Sequence, residues 1–213
     1  MQATSHRRKN ILTGEWVQVS PHRNKRPWQG KTEANAKVEE ISYDKSCYLC
    51  PTNKRSGGSE NPDYTGVFVF DNDFPALQNE ENLQEFNENE LLIAKSERGI
   101  CRVVCYAPSH SLTLPLMEVS SIHNVVKTWQ KQYLELGELE YIDYVQIFEN
   151  KGAIMGCSNP HPHGQIWAQE SIPVEPAKED KMQLQYFKEK GRGLLADYLT
   201  LELQKKRKNS GGK

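Results

Sequence analysis

A stripe of apolar residues with helical spacing places the strongest limit on how this chain can fold. The stripe runs through residues 121–136 and comprises Ile122, Val125, Val126, Trp129, Tyr133 and Leu136. Spacings of three and four residues put these side chains on one face of an α helix, which predicts a helix packed on a sheet. We expect Ser120 or Ser121 to cap the start of this helix and Gly137 to close its end.

Short apolar or alternating segments around this helix predict the strands of that sheet. They lie at residues 16–19, 67–70, 100–106, 142–148 and just after His161. Residues 76–92 are acidic and predict a solvated loop, whereas residues 178–204 predict amphipathic helix. The sequence has no glycine-rich phosphate loop. This order of elements indicates an α+β fold with a mostly antiparallel sheet and flanking helices.

Composition narrows the class of protein. The 213 residues carry 27 basic and 28 acidic side chains, a formal net charge of -1, which argues against a nucleic-acid binder because such proteins need a basic excess. No apolar run approaches the roughly 20 residues that cross a bilayer. The start lacks the apolar stretch of a secretory signal, so we expect a cytoplasmic protein with no membrane partner. We expect one domain over residues 1–204 and a disordered basic, glycine-rich tail over 205–213.

Five cysteines, an odd number, and a reducing compartment argue against a disulfide framework. Cys101 and Cys105 lie in a strand pattern and are expected to be buried. Cys47 and Cys50 have the two-residue spacing by which two thiolates reach one zinc ion. His110 and one histidine of a later pair are candidates for the other two ligands. The alternative is a pair of free cysteines.

The densest functional signal is the segment 156–165, Gly-Cys-Ser-Asn-Pro-His-Pro-His-Gly-Gln. In an extended chain His161, His163 and Gln165 project to the same side, and Pro162 between the histidines stiffens the segment. A neutral imidazole can attack phosphorus or bind a metal without losing a proton. Gly164 would let a ligand or another backbone approach closely. The alternative is a pair of surface histidines in a proline-containing turn.

Other residues in and outside this segment suit phosphate oxygens. Within it they are small or carry amides: Gly156, Ser158, Asn159, Gly164 and Gln165. A proline-bounded loop at residues 20–28 adds Arg23, Lys25 and Arg26, whose charges could meet a phosphate. Solvated surface is the alternative for that loop.

Several of these segments together resemble the galactose-1-phosphate uridylyltransferase family of the histidine-triad superfamily. The matching stretches are residues 6–8 (His-Arg-Arg), 20–28, 47–50, 61–64 (Asn-Pro-Asp-Tyr), 70–77 (Phe-Asp-Asn-Asp-Phe-Pro-Ala-Leu) and 148–167. The resemblance extends to about residue 204. It implies a histidine-triad-like fold and a double displacement. UDP-glucose gives its uridylyl group to a histidine, and galactose 1-phosphate then takes that group.

The resemblance also implies a role for each matching residue. His163 is the nucleophile, and Gln165 holds the phosphoryl oxygens. The implied phosphate and sugar contacts are Asn150, Gly156, Cys157 and Ser158, and the implied ribose contacts are Asn72 and Asp73. Arg23 and Arg26 match a loop that reaches the nucleotide across a homodimer interface. Cys47, Cys50, His110 and His161 match the family's zinc ligands.

The family chain is longer and is built from two similar halves, of which this sequence resembles the first. Glu179 matches one ligand of a second metal site whose histidine partners lie in the other half. Contacts to the hexose phosphate lie there too, so we expect turnover by this chain alone to be impaired. Two alternatives are a non-catalytic zinc-binding fragment and a nucleoside-phosphate hydrolase or phosphorylase. Against the second, Gln165 stands where histidine-triad hydrolases carry a third histidine, and glutamine cannot act as a general acid.

Overall fold

The computed structural model describes residues 4–27, 41–152, 155–157 and 159–205. These residues form eight strands and three α helices. The strands are β1 (His6–Lys9), β2 (Trp16–Val19), β3 (Phe68–Asp71), β4 (Glu85–Glu88), β5 (Leu92–Lys95), β6 (Gly99–Cys105), β7 (Tyr144–Phe148) and β8 (His163–Gln169). The helices are α1 (Val119–Gly137), α2 (Val174–Lys190) and α3 (Leu194–Gln204), and short 3-10 helices lie at Pro21–Lys25 and Leu114–Leu116.

The described residues divide into two compact units. The first contains β1, β2, α2 and α3, from residues up to 27 and from 172 onward. The second contains β3 to β8 and α1, from residues 41–171. We predicted that residues 1–204 form a single domain. Whether the two units assemble into one domain stays a prediction. The predicted tail lies outside the described residues except for Lys205.

A four-stranded antiparallel sheet forms the second unit, with the strand order β3-β6-β8-β7. This arrangement confirms the α+β class with an antiparallel sheet. On β8, His163 lies opposite Cys105 of β6, and Gln165 lies between Val103 of β6 and Phe148 of β7. The histidine segment therefore enters the sheet between two neighbouring strands, where its alternation is fixed on both sides.

The two faces of β8 have different surroundings. Gly164, Ile166 and Ala168 are buried, and the last two belong to a hydrophobic core that includes Val125 and Leu136 of α1. The alternate residues His163, Gln165 and Trp167 are half-buried. Helix α1 therefore covers one face of the sheet, and the other face carries His163 and Gln165, the candidate site residues of β8.

Helix α1 confirms the predicted helix but corrects its details. It begins at Val119 after Glu118, with no side-chain capping bond, so the predicted caps Ser120 and Ser121 lie inside it. It ends at Gly137, but the following Glu138 is right-handed, and Gly137 does not adopt the left-handed conformation that closes many helices.

The buried face of α1 is also rotated slightly from the predicted stripe. Val126 and Tyr133 of the stripe are about half exposed, whereas Gln132 is buried. Gln132 can be buried because its side-chain oxygen accepts a hydrogen bond from Arg102 at 2.6 Å. A buried, satisfied glutamine is invisible to an apolar pattern.

Strand β6 is buried on both faces, and a second hydrophobic cluster lies against it. Cys101 and Cys105 are buried, as predicted. The second cluster includes Val103, Cys105 and the irregular segment around Cys47 to Tyr64, with Phe68 and Phe70 of β3 packed against it. This segment thus covers the sheet next to the start of β8.

Some sequence predictions miss elements that carry polar residues. Residues 76–92 were expected to form a loop, but β4 and β5 pair there as an antiparallel hairpin. Its strand residues are exposed, so the hairpin has no buried face that a pattern could reveal. Strand β1 pairs with β2 and was missed because it reads His-Arg-Arg-Lys.

The predicted helical region 178–204 is two helices in the first unit. Helix α2 ends where Gly191 adopts a left-handed φ of 68°, a conformation that glycine reaches without strain. Helix α3 begins three residues later. Among the described residues, none of the helices has the length and apolar character that a membrane crossing requires.

Candidate active site and metal cluster

Four buried side chains from three separate segments converge beside the start of β8. Cys47, Cys50, His110 and His161 each offer a donor atom, and these atoms all lie within 4.8 Å of one another. The Sγ of Cys50 lies 3.5 Å from Nδ1 of His161 and 3.6 Å from Nδ1 of His110. The Sγ of Cys47 lies 3.8 Å from Nδ1 of His161. The structure therefore brings together the four predicted metal ligands.

Neighbouring groups fix the direction of both histidine rings. His161 places its other ring nitrogen, Nε2, 2.9 Å from the backbone carbonyl oxygen of Ala107, which can only accept a hydrogen bond. Nε2 is therefore the protonated nitrogen, and the lone pair of Nδ1 faces the two sulfurs. The Nε2 of His110 lies 4.0 Å from the carboxylate of Asp44. A carbonyl or carboxylate behind a ligating histidine is the usual support of a metal site.

The donor set suits a metal ion. Burial raises the pKa of the Cys50 thiol to about 11 and lowers the pKa of His161 to about 4, so without a cation the thiol stays protonated and the ring neutral. A bound cation would favour thiolates, and neutral imidazole is already the ligating form. Two thiol and two imidazole donors in a dry cluster can hold a metal ion.

The turn that presents both cysteines is held by asparagine side chains. Asn53 Nδ2 donates to the carbonyl oxygens of Asp44 and Cys47, and Asn61 Nδ2 donates to those of Tyr48 and Cys50. These bonds satisfy carbonyls in a segment that has no regular structure.

The sequence suggested that the Asn159 amide contacts a phosphate, but the structure places this side chain against the Cys₂His₂ cluster. Asn159 is buried, and its Oδ1 accepts a hydrogen bond from the backbone N–H of His161 at 2.8 Å. Its side chain also lies within 3.6 Å of the Cys47 Sγ. Asn159 therefore supports the cluster from behind.

His163 has one ring nitrogen committed and one available. Its Nδ1 lies 2.7 Å from the backbone carbonyl oxygen of His161. Since a carbonyl only accepts, Nδ1 carries the proton and Nε2 carries the lone pair. The arrangement leaves Nε2 as a nucleophilic atom on a half-buried ring.

His163 lines two cavities of the second unit. The larger, of about 530 Å³, is lined by the following described residues: Ile41, His110, Ser111, Thr113, Glu149, Asn150, Lys151, Gly152, Cys157, Pro160, His161, Pro162 and His163. The smaller, of about 210 Å³, is lined by Tyr48, Leu49, Ser56, Phe70, Asn72, Asp73, Phe74, Val103, His163 and Gln165. Each of the two cavities beside His163 is thus lined by residues that were predicted to contact the substrate.

Most of the predicted binding residues can be located. Asn72, Asp73 and Gln165 line the smaller cavity, and Asn150 and Cys157 line the larger. Gly156 precedes Cys157 with a left-handed φ of 78°, which favours glycine there. Ser158 lies outside the described residues.

Three further predicted site residues lie in the first unit. Arg23 and Arg26 are exposed, Arg23 within and Arg26 just after the 3-10 helix. Glu179 lies on α2, and among the described residues it belongs to no cluster of metal-ligating side chains.

Gly164 meets other parts of the chain instead of a ligand. A Cβ atom here would collide with the hydroxyl of Tyr106 and lie 3.0 Å from the carbonyl oxygen of Phe148. The close approach predicted at this glycine is therefore to a neighbouring backbone and a tyrosine.

Comparisons with known proteins extend over nearly the whole chain. Residues 1–173 match the family described as galactose-1-phosphate uridyl transferase, N-terminal domain. The galactose-1-phosphate uridylyltransferase of Haemophilus influenzae is 52% identical over 198 residues, which cover 93% of this chain and 56% of that protein. The enzyme of that name from Saccharomyces cerevisiae is 45% identical over 218 residues, covering 95% and 58%.

Solved structures show the same fold at lower identity. An ADP-glucose phosphorylase from Arabidopsis thaliana, solved with bound ADP-glucose, superposes with a TM-score of 0.65 at 24% identity, covering 89% of this chain and 56% of that one. A uridylyltransferase gives a TM-score of 0.64 at 22% identity, covering 92% and 56%. The chain thus spans a little over half the length of these relatives. With its family match over residues 1–173 and relatives at these identities, the chain belongs to the galactose-1-phosphate uridyl transferase family and corresponds to its N-terminal domain.

Proposed function

We propose that this chain carries the nucleotide-transfer half-reaction of a UDP-glucose:hexose-1-phosphate uridylyltransferase. The observation that carries the proposal is His163, whose Nδ1 is held by the His161 carbonyl so that Nε2 keeps its lone pair. The ring lines both cavities that contain the family's matching contact residues. The names of the sequence relatives supply galactose 1-phosphate and the uridylyl group as part of the proposal. UDP-glucose as the donor is implied by the resemblance to the family.

In the first step, Nε2 of His163 attacks the α-phosphorus of UDP-glucose. A bond forms between Nε2 and phosphorus, and the bond from phosphorus to the bridging oxygen breaks, so glucose 1-phosphate leaves with the electron pair. The imidazole becomes cationic while its Nδ1–H stays on the His161 carbonyl oxygen, which stabilises that charge. In the second step a phosphate oxygen of galactose 1-phosphate attacks the same phosphorus, and neutral His163 is released.

Gln165 is proposed to hold the phosphoryl oxygens during both displacements. Its Oε1 accepts a hydrogen bond from the indole N–H of Trp167 at 3.1 Å. This bond orients the Gln165 amide. Because its oxygen faces Trp167, the two hydrogens on its own Nε2 point away from Trp167. Among the described residues, those protons have no hydrogen-bond acceptor, so they are suited to an anionic oxygen in the smaller cavity.

Contacts to the rest of the donor are proposed on both sides of His163. Asn72 and Asp73 would bind the ribose hydroxyls. Asn150, Gly156, Cys157 and Ser158 would contact phosphate and sugar. Arg23 and Arg26 would reach the nucleotide of a partner chain in a homodimer, and Glu179 would supply one ligand of a second metal site. A cytoplasmic location completes the proposal.

The metal proposed for the Cys₂His₂ cluster is zinc. Bond lengths of about 2.3 Å to sulfur and 2.0 Å to nitrogen, at tetrahedral angles, separate a sulfur and a nitrogen by about 3.5 Å. Three of the four sulfur–nitrogen distances, 3.5, 3.6 and 3.8 Å, are close to that value. Zinc would neutralise the two thiolates and join the turn at Cys47 to the start of β8. His161 would then hold metal while His163 does the chemistry.

Neither alternative function is favoured by the sequence relatives at 45–52% identity, whose names are those of uridylyltransferases. The ADP-glucose phosphorylase, at 24% identity, shares the fold alone. Intact-mass measurement after incubation with UDP-glucose alone tests the proposal. We expect the mass of one added uridylyl group, lost in His163→Ala and retained in His123→Ala, a change at an exposed histidine on α1. No adduct on folded, zinc-loaded protein would exclude the half-reaction by this chain. The non-catalytic alternative would then lead.

A further inference from the structure

A tight turn at residues 55–59 lies beside the proposed ribose contact Asp73. The backbone N–H of Arg55 donates to the Ser59 carbonyl at 2.7 Å, and that of Gly58 donates to the Arg55 carbonyl at 2.9 Å. Gly58 completes the turn with a left-handed φ of 89°. The turn places Ser56 in the lining of the smaller cavity. It also directs Gly57 and Arg55 toward Asp73.

The Arg55 side chain packs against Phe70 and Asp73, two residues of this cavity wall. Its guanidinium carbon lies 4.3 Å from the centroid of the Phe70 ring, a distance typical of a cation–π contact. Its Nε lies 3.6 Å from Oδ1 of Asp73, and the two side chains are only 15% and 13% exposed. Arg55 itself is absent from the described residues that line the cavity, whereas Phe70 and Asp73 both line it.

Gly57 completes the enclosure of the Asp73 carboxylate. A Cβ atom at Gly57 would lie 2.7 Å from Oδ1 and 2.8 Å from Cγ of Asp73, closer than real Cβ contacts allow. The carboxylate occupies the space that a side chain at residue 57 would take. Asp73 is therefore confined on one side by glycine and on another by a guanidinium.

The hydrogen-bonding capacity of this pair is unused. Arg55 Nε is buried and has no hydrogen-bond partner among the described residues, since Asp73 lies just beyond hydrogen-bond distance. Within that same part of the chain, no group donates a hydrogen bond to the Asp73 carboxylate. A fixed anion with free acceptor oxygens in a cavity wall is suited to ligand hydroxyl groups.

We propose that Arg55 is a positioning residue that holds Asp73 in place to read the ribose hydroxyls of the nucleotide. The inference rests on the proposed ribose contact. Arg55 would act through charge and stacking, keeping the carboxylate oriented into the cavity, without touching the nucleotide. Sites built to bond a substrate hydroxyl discriminate strongly against analogues that lack it. Arg55 would thus set the preference for ribonucleotides.

Equilibrium binding of two non-reacting ligands to the purified chain tests this role. The ligands are uridine 5′-monophosphate and its 2′,3′-dideoxy analogue, and the quantity is the ratio of their dissociation constants. We expect Arg55→Met to reduce that ratio on the order of tenfold, because hydrogen bonds to charged groups contribute about that much. Affinity for the dideoxy analogue should be nearly unchanged. Arg55→Lys, which keeps the charge, should retain part of the ratio.

Two further variants separate positioning from general damage. Arg98→Met removes another arginine stacked on a ring, 3.6 Å from the centroid of Tyr141, and should leave the ratio unchanged. In an Asp73→Asn background, Arg55→Met should have no additional effect on the ratio.

Equal loss of affinity for both ligands in folded Arg55→Met, or an additional loss in the Asp73→Asn background, would overturn the inference. Failure of the parent chain to prefer the ribonucleotide would overturn it as well. Binding of the two ligands needs no covalent step, so the ratio of their dissociation constants can be measured even if no uridylyl adduct forms. Absence of the adduct would count against the proposed function and would not decide the role of Arg55.

Discussion

At the scale of single residues, Gly164 links the proposed nucleophile His163 to the core. It lies between His163 and Gln165, and a Cβ there would collide with the Tyr106 hydroxyl. We expect Gly164→Ala to lower the free energy of unfolding by about 1–3 kcal/mol, because an overpacked core must shift. The shift would move His163, so uridylylation should also slow. Urea unfolding and intact-mass kinetics measure the two effects.

Gly137→Ala is the matched control for this substitution. Gly137 is the last residue of α1, and an added Cβ there meets nothing within 4 Å. Alanine in a helix is favoured over glycine by roughly 0.5–1 kcal/mol, so stability should stay equal or rise. Similar losses of stability in both variants would show that the crowding at Gly164 is not the cause.

The sequence could predict side chains that meet in the Cys₂His₂ cluster or line the two cavities, but not the residues that support them. The spacing of Cys47 and Cys50 and the alternation of His161 and His163 are local patterns. Asn53 supports the cysteine turn through side-chain hydrogen bonds, and the Asp44 carboxylate lies near His110. Both residues lie in irregular segments, where no repeating spacing identifies them. Asn159 was seen in the motif but assigned to phosphate, because a sequence cannot show which way an amide points.

At the scale of elements, prediction succeeded for segments with a visible apolar or alternating pattern and failed for β1 and for the hairpin of β4 and β5. Helix α1 and strand β8 each have one buried face, so their periods are visible. Strand β6 was located by the alternation of Arg102 and Val104 with Cys101, Val103 and Cys105, although both of its faces are buried. The hairpin of β4 and β5 is exposed on both faces, and the acidic residues around it resemble those of a loop.

Metal removal should loosen particular elements and leave others intact. The cluster joins the turn at Cys47 and Cys50 to His110 and to His161 at the start of β8. We expect one zinc per chain, and we expect its removal by chelator to destabilise the fold by several kcal/mol, as for structural zinc sites. Hydrogen exchange should accelerate at residues 47–53 before it does in α1. Elemental analysis and exchange mass spectrometry measure these effects.

Cysteine substitutions test the ligand assignment. Replacing both Cys47 and Cys50 with serine should abolish zinc binding. Cys101→Ser changes a buried cysteine of β6 that lies outside the cluster, so zinc content should be retained. Full zinc content in the Cys47 and Cys50 double variant would contradict the assignment.

At the scale of the whole molecule, the residues proposed to bind the nucleotide are divided between the two units. The proposed nucleophile His163 and the cavities that it lines belong to the second unit, within residues 41–171. Arg23 and Arg26 belong to the first unit, exposed on a short basic segment. The pattern of this basic loop alone left two interpretations open, a phosphate contact and solvated surface. Only the resemblance to the family implied a contact with the partner's nucleotide, because contacts between chains depend on surfaces with no local period.

Mixing two defective variants decides whether Arg23 acts across a dimer. Arg23→Ala should be labelled poorly at limiting UDP-glucose, and His163→Ala should not be labelled. In a mixed dimer the Arg23→Ala chain keeps His163 and receives Arg23 from its partner, so its site is complete. After equimolar exchange of subunits about half of the Arg23→Ala chains should occupy such dimers and regain labelling, which intact mass resolves by chain. Labelling should weaken as salt rises, because an exposed phosphate contact is screened. If the mixture labels no better than Arg23→Ala alone while subunit exchange is verified, Arg23 does not act on the partner's nucleotide.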